Sequence, residues 1–145
     1  MVVGFFYNLY SYFFTKDERF YYLSLIYSED EWHIHGLWPQ YSEISYPKFC
    51  KNVPFNITNL ESIIDKLHEN WYSTCTKDEQ FWKHEWDKHG TCMFNFNQKE
   101  FGKYELNYFS KALYLFDKAK KLNKIEKYSK DNKCMIPLNL DFSFR

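Results

Sequence analysis

The sequence predicts a domain that mixes strands and helices. Three observations carry this. Two early runs, Phe20–Tyr27 (FYYLSLIY) and Trp32–Gln40 (WHIHGLWPQ), are rich in β-branched and aromatic residues. Two later stretches, Leu60–Trp71 and Phe101–Leu122, repeat apolar residues at helical spacing. The length, 145 residues, suits a single domain over 1–145 with room for a sizeable core.

In chain order, Met1–Phe14 is apolar and aromatic but lacks a positive leading segment and an A-x-A cleavage site. It reads as neither a convincing signal peptide nor a membrane span, being too short and too rich in Tyr. Phe20–Tyr27 is bounded by Asp17-Glu18-Arg19 and Glu29-Asp30-Glu31, which marks a buried strand. In the next run Trp32 and Ile34 alternate with His33 and His35, a strand with two faces. Gly36 is expected to allow a turn and Pro39 to end the pairing. That leaves His35 at a strand end, able to reach into a cleft.

Tyr41–Pro54 reads as loop. Asn56-Ile57-Thr58 is a glycosylation sequon, meaningful in a secreted chain. Thr58 and Glu61 form a capping box for a helix whose stripe is Leu60, Ile63, Ile64, Leu67 and Trp71. His68 beside it is read as structural or exposed. Ser73–Asp78 is a loop containing Cys75. Further on, Asn97 and Glu100 resemble an N-cap pair. The stripe Phe101, Tyr104, Tyr108, Ala112, Leu115, Phe116, Ala119, Leu122 follows, with a break near Gly102. Lys118 to Lys133 holds a basic run read as a solvated face. The end alternates apolar and polar residues after Pro137, a last strand.

Composition excludes several classes. Apolar residues at 45% argue against disorder, and aromatics at 23% promise a ring-rich core. Lys+Arg and Asp+Glu balance at 19 each, so no global field holds nucleic acid; anion binding must be local. Cys50, Cys75, Cys92 and Cys134 contain no C-x-x-C pair, against a structural zinc site. They fit two disulfides in any of three pairings, or four thiols.

The densest stretch is Phe81–Cys92, FWKHEWDKHGTC. On a helix at about 100° per residue, Phe81, His84, Glu85, Lys88 and His89 share a face. Trp82 and Trp86 lie together on the adjoining face, and Lys83 and Asp87 point to water. Gly90 is a natural stop, since the residue after a helix often needs a positive φ. Two imidazoles, a carboxylate and an ammonium on one face are costly to bury unless they act on something.

IHGLWPQ (Ile34–Gln40) and FWKHEWDKHGTC together resemble the two catalytic segments of the ribonuclease T2 family of endoribonucleases. The resemblance spans about Phe20 to Phe116. It implies an α+β fold, an antiparallel sheet packed against several helices, with the cleft on the sheet. It implies cleavage of single-stranded RNA through a 2′,3′-cyclic phosphate, with no metal and no cofactor, by a monomer. The catalytic set it implies is His35, Glu85 and His89, with His89 as base and His35 as acid, both near the ordinary histidine pKa of about 6.5. His84 and Lys88 would bind phosphate. Trp38, Gln40 and Phe81 would hold bases, with Gln40 standing where some members carry Asp. A Cys50–Cys92 disulfide is implied, and a Cys75–Cys134 pair is expected from the remainder. The resemblance implies a secreted or vacuolar-lumen location. The segment before IHGLWPQ is short for the family and lacks its early cysteines. Two other classes compete: a metal hydrolase using His33, His35, His84 and His89, and a catalytically idle RNA-binding or signalling module on the same fold.

Overall fold

The two β-rich runs form a hairpin, β1 (Phe20–Ser28) and β2 (Glu31–Gln40), in the computed structural model, which describes residues 17–145. Glu29 and Asp30 turn it, both at positive φ (52° and 64°), as a type I′ turn requires. The reading of Met1–Phe14 lies outside the described residues.

The helical part begins with a 3₁₀ segment, Ile57–Ile63, and runs through α1 (Ile64–Asn70) and α2 (Asp78–Lys88). A second 3₁₀ segment, Gly90–Phe96, leads to α3 (Lys99–Lys103), α4 (Glu105–Lys121) and α5 (Lys124–Tyr128). A two-residue β3 (Ser129–Lys130) and β4 (Lys133–Leu138) complete an antiparallel sheet in the order β2-β1-β4-β3. This is the expected α+β architecture. The alternation of β1 and β4 turns Tyr21, Leu23, Leu25, Cys134, Ile136 and Leu138 inward. The helices close over them with Leu67, Trp71, Trp82, Trp86, Tyr108 and Phe109. Each of those tryptophans buries its ring, and its indole N–H finds a backbone carbonyl: His35, Trp71 and Val53 respectively.

Several local readings need correction. Asn56, not Thr58, caps the first helical segment; its side chain accepts the Thr58 N–H at 3.1 Å. Asn97 is a left-handed residue (φ 62°) closing Gly90–Phe96, not an N-cap. The helix break falls at Tyr104, extended at φ −120°, rather than at Gly102. Gly36 makes no turn, and Pro39 and Pro137 lie inside β2 and β4. Both prolines are tolerated because β2 is an edge strand and β3 reaches only as far as Cys134 on β4.

Cys50 and Cys92 are disulfide-bonded across 42 residues, tying the loop after β2 to the 3₁₀ segment that follows α2. Cys75 and Cys134 do not pair. Cys134 faces the core from β4, whereas Cys75 sits on an exposed loop. Replacing Cys50 and Cys92 together by serine is expected to cost about 4 kcal/mol, because the open loop regains its chain entropy in the unfolded state. Urea melts of the oxidised parent and the double variant check this. No helix among the described residues is long and apolar enough to cross a membrane.

Candidate active site

Five pieces of chain meet at one groove of about 300 Å³ on the sheet: β1, β2, β4, α2 with the residue after it, and the loop 41–50. The decisive local feature is a β-bulge. Ser24 pairs with Gly36 and the next residue, Leu25, pairs with Ile34, so His35 is the extra residue on β2. A bulge shifts the strand's phase. Ile34 and Leu37, three apart, therefore both face the core, while His35 and Trp38 both face the groove. The carbonyl of His35, outside the ladder, is taken up by the Trp71 indole N–H at 2.9 Å. The Tyr108 hydroxyl donates to the Leu37 carbonyl at 2.7 Å and fixes the strand just beyond the bulge. Gly36 has no alternative residue here, because a β-carbon would run into the Trp38 indole and the Glu85 carboxylate.

Helix α2 brings Phe81, His84, Glu85 and Lys88 to the groove, with His89 just past its last turn. The His89 N–H still bonds back to the Glu85 carbonyl at 3.0 Å, which holds the ring in place. Trp82 and Trp86 are buried on the adjoining face, and Lys83 and Asp87 pair with each other at the surface, as the helical spacing predicts. Gly90 ends the helix, but not through a positive φ. It lies against the Trp86 ring, where a β-carbon would come within 2.5 Å.

At the centre, Glu85 lies between two imidazoles. Its Oε1 is 3.5 Å from His35 Nε2 and its Oε2 is 3.9 Å from His89 Nε2. Trp38 donates its indole N–H to Glu85 Oε2 at 2.9 Å. The same indole stacks on His89 at 4.9 Å and meets His35 edge-on at 4.9 Å. Glu85 is 2% exposed and His89 4%, so both are shielded from water, while the His35 side chain is 37% exposed. Burial opposes charge on all three groups. It lifts the Glu85 carboxyl to about 8, against the pull of the Trp38 N–H and Lys88. It pushes His35 down to about 4, helped by Lys133 and Lys88, and His89 down to about 3, helped by Lys88. The histidines are therefore not at their ordinary pKa, as the sequence reading expects. His89 Nδ1 is buried without a hydrogen-bond partner among the described residues.

A family model described as the ribonuclease T2 family matches residues 9–133. The chain belongs to the ribonuclease T2 family. It is 40% identical over 91 residues to ribonuclease T2 protein rnst-2 of Caenorhabditis elegans, a match that covers 60% of this chain and 32% of that one. It is 38% identical over 63 residues to extracellular ribonuclease LE of Solanum lycopersicum, covering 41% and 27%. The matched stretches thus span about a third or less of these two relatives. Human RNase T2 shares the fold with a TM-score of 0.70 at 18% identity, over 88% of this chain and 89% of that one.

All eight groove residues singled out from the sequence of this T2-family chain line the groove: His35, Trp38, Gln40, Phe81, His84, Glu85, Lys88 and His89. Gln40 is nearly buried, its amide donating to the Ser42 carbonyl at 2.9 Å. His33 does not join them. It is buried on the far side of the bulge, bonded to the Ser28 hydroxyl at 2.5 Å and stacked on Tyr72. No three His, Cys, Asp or Glu side chains among the described residues are grouped as a metal needs. Sequence reasoning missed Tyr22, Glu43, Ile44, Tyr46 and Met135. Tyr46 lies 5.8 Å from the His89 ring, with the Lys88 ammonium 5.7 Å above its face. Nothing in a loop sequence marks it. Met135 was legible in principle, since it alternates with inward-facing Cys134 and Ile136.

Proposed function

We propose that this chain is an endoribonuclease that cleaves single-stranded RNA by transphosphorylation. The observation that carries the reading is one buried carboxyl group set between two imidazoles that line the same groove. RNA supplies its own nucleophile, so the protein need only move protons and stabilise charge. His89 takes the 2′-OH proton as the 2′-O–P bond forms. His35, the more exposed of the two imidazoles, protonates the departing 5′-oxygen as the P–O5′ bond breaks. In the second step the roles reverse: His35 takes a proton from water, His89 returns one to the 2′-oxygen, and a 3′-phosphate results.

Burial keeps the Glu85 carboxyl protonated in the resting site; an imidazolium formed beside it draws that proton off, and the carboxylate then steadies whichever ring is charged. Lys88 and His84 supply cationic and donor contacts to the phosphate oxygens. Trp38, Phe81 and Tyr46 offer faces for base stacking, and Gln40 a polar edge. An incoming phosphodiester brings negative charge into the groove and so favours the imidazolium that burial disfavours. The Cys50–Cys92 disulfide and the extracellular relative support a secreted or lumenal setting.

The test is cleavage of oligoribonucleotides by the oxidised protein with EDTA present, product ends being read by mass. Cyclic phosphates ripening to 3′-phosphates are expected. Loss of turnover in EDTA points to a metal hydrolase, and tight binding of uncut RNA to an idle module; either result refutes the proposal. The burial-lowered histidines also set the pH dependence. The free enzyme needs one imidazole charged and one neutral, and both lose their protons below the ordinary value of about 6.5. The maximum of kcat/KM is expected on the acid side of that value, falling about tenfold per pH unit above it. A maximum above neutrality contradicts the burial-lowered histidines.

A further inference from the structure

The groove does not end at Gln40. Beyond it the outer face of the sheet opens into a second cleft of about 870 Å³, against about 300 Å³ for the groove. Tyr22, Glu43 and Met135 wall both, so the two are continuous. Strand register gives the direction. From His35, β2 runs toward Gln40, which pairs with Phe20, while Tyr22 pairs with Trp38 on one side and Pro137 on the other. The cleft takes in Phe20, Tyr22 and Pro137, with Ser42 and Glu43 of the loop that brings Tyr46 to His89. Neither His35 nor Phe81 touches it.

Its walls have the chemistry of a nucleotide. Tyr22 packs edge-on to Phe20 at 4.8 Å. The Arg145 guanidinium lies 5.0 Å over the Phe20 ring, and its Nε donates to Asn139 Oδ1 at 2.7 Å. That leaves its two terminal amino groups without partners among the described residues. Phe20 is buried beneath that guanidinium, so the half-buried Tyr22 ring is the face left to a base, and a ring face beside a held guanidinium is what a base and its phosphate take from a single-strand binder. Asp17 is already matched by Arg19. Glu18 and Glu43 can accept from base amino groups but repel further phosphates, which limits the cleft to one or two nucleotides.

We propose that this cleft binds the RNA immediately 5′ of the dinucleotide held at the cleaved bond. The inference rests on the nuclease reading of the groove. There His89 takes the proton of the 2′-OH, so the 5′ nucleotide of the cleaved pair lies on the His89 and Gln40 side. The nucleotide before it enters the cleft.

The test uses the full chain and oligoribonucleotides carrying one 2′-deoxy residue at the cleaved position, which bind but lack the nucleophile. Fluorescence anisotropy compares a dinucleotide with the same pair lengthened by one or two residues, at either end. A 5′ extension is expected to tighten binding roughly tenfold, the scale of one stacked base with its phosphate contact. In Arg145→Ala and Arg145→Glu that gain should shrink to under about twofold, with dinucleotide binding and dinucleotide cleavage unchanged. No gain from 5′ extension in the full chain, a gain only from 3′ extension, or a gain that survives in both Arg145 variants overturns the proposal. Anisotropy needs no turnover. A length-dependent gain in a protein that fails to cleave the unmodified dinucleotide would sink the nuclease reading and leave the cleft standing.

Discussion

His35→Ala and His89→Ala should each lower kcat on an oligoribonucleotide by about 10³-fold or more, the loss of one positioned proton carrier together with its charge. The two deletions differ physically. His35 sits on the bulge with its side chain 37% exposed, so its removal leaves the core intact. His89 is 5% exposed and stacked on Trp38, so its removal opens a void beside the indole. His89→Gln fills most of that space and serves as the folding control. Circular dichroism and thermal melts show whether the fold is kept. Added imidazole should restore part of the activity to His89→Ala, because the void matches the missing ring, and less to His35→Ala, whose site is open to water. Because the two groups act in one proton relay, the double variant should be little worse than either single one. Turnover within about tenfold of the parent in either variant removes that histidine from the chemistry.

What could be read from the chain was what local spacing controls. The five groove residues of FWKHEWDKHGTC share a face because a helix has a fixed period, and both buried tryptophans fell where that period puts them. The inward faces of β1 and β4 follow the same logic at period two. What could not be read depends on a partner. The bulge at His35 exists only relative to β1, since IHGLW alone does not say which residue lacks an opposite number. Strict alternation puts His35 and Leu37 on one face; the bulge separates them and unites His35 with Trp38. Pro39 does not end β2, and the last strand lies mostly before Pro137 rather than after it, because a proline's tolerance depends on strand order. Asn56 displaced Thr58 as the cap because Glu105, from another helix, receives the Asn56 N–H and the Asn59 amide and so anchors that turn. Cys75 and Cys134 were paired by arithmetic, and only the fold separates a core-facing strand residue from a loop residue. The shifted charges of the histidines follow from burial, which no spacing encodes.

Glu85→Gln should separate function from stability in opposite directions. The amide keeps the shape and can still accept the Trp38 indole N–H, now made to Glu85 Oε2 at 2.9 Å. It cannot carry the charge that steadies an imidazolium, so kcat should drop about 10²- to 10³-fold. Stability moves the other way. The carboxyl of Glu85 titrates near 8 in the folded chain because it is buried, against an ordinary value of 4.5. Below 4.5 it is protonated in both the folded and unfolded states and costs nothing. From 4.5 upward the unfolded chain gives up the proton while the folded chain keeps it, so the penalty grows, and it is complete only above 8. Glutamine removes that penalty. The variant should therefore be on the order of 2 kcal/mol more stable than the parent at pH 8.5, roughly 4–8 °C in Tm for a chain of this size, with the advantage vanishing by about pH 4. His35 and His89 tilt the parent the opposite way, since protonating the unfolded chain below the histidine value of 6.5 weakens the fold as pH falls toward 4. The parent's stability should thus peak between these limbs, and Glu85→Gln should flatten only the alkaline one. Paired melts from pH 4 to 9 decide it. A variant less stable than the parent at pH 8.5 would mean that Glu85 is ionised in the folded chain and stabilised by its neighbours. The buried carboxylate would then be a structural anchor and not a strained group held in place for chemistry.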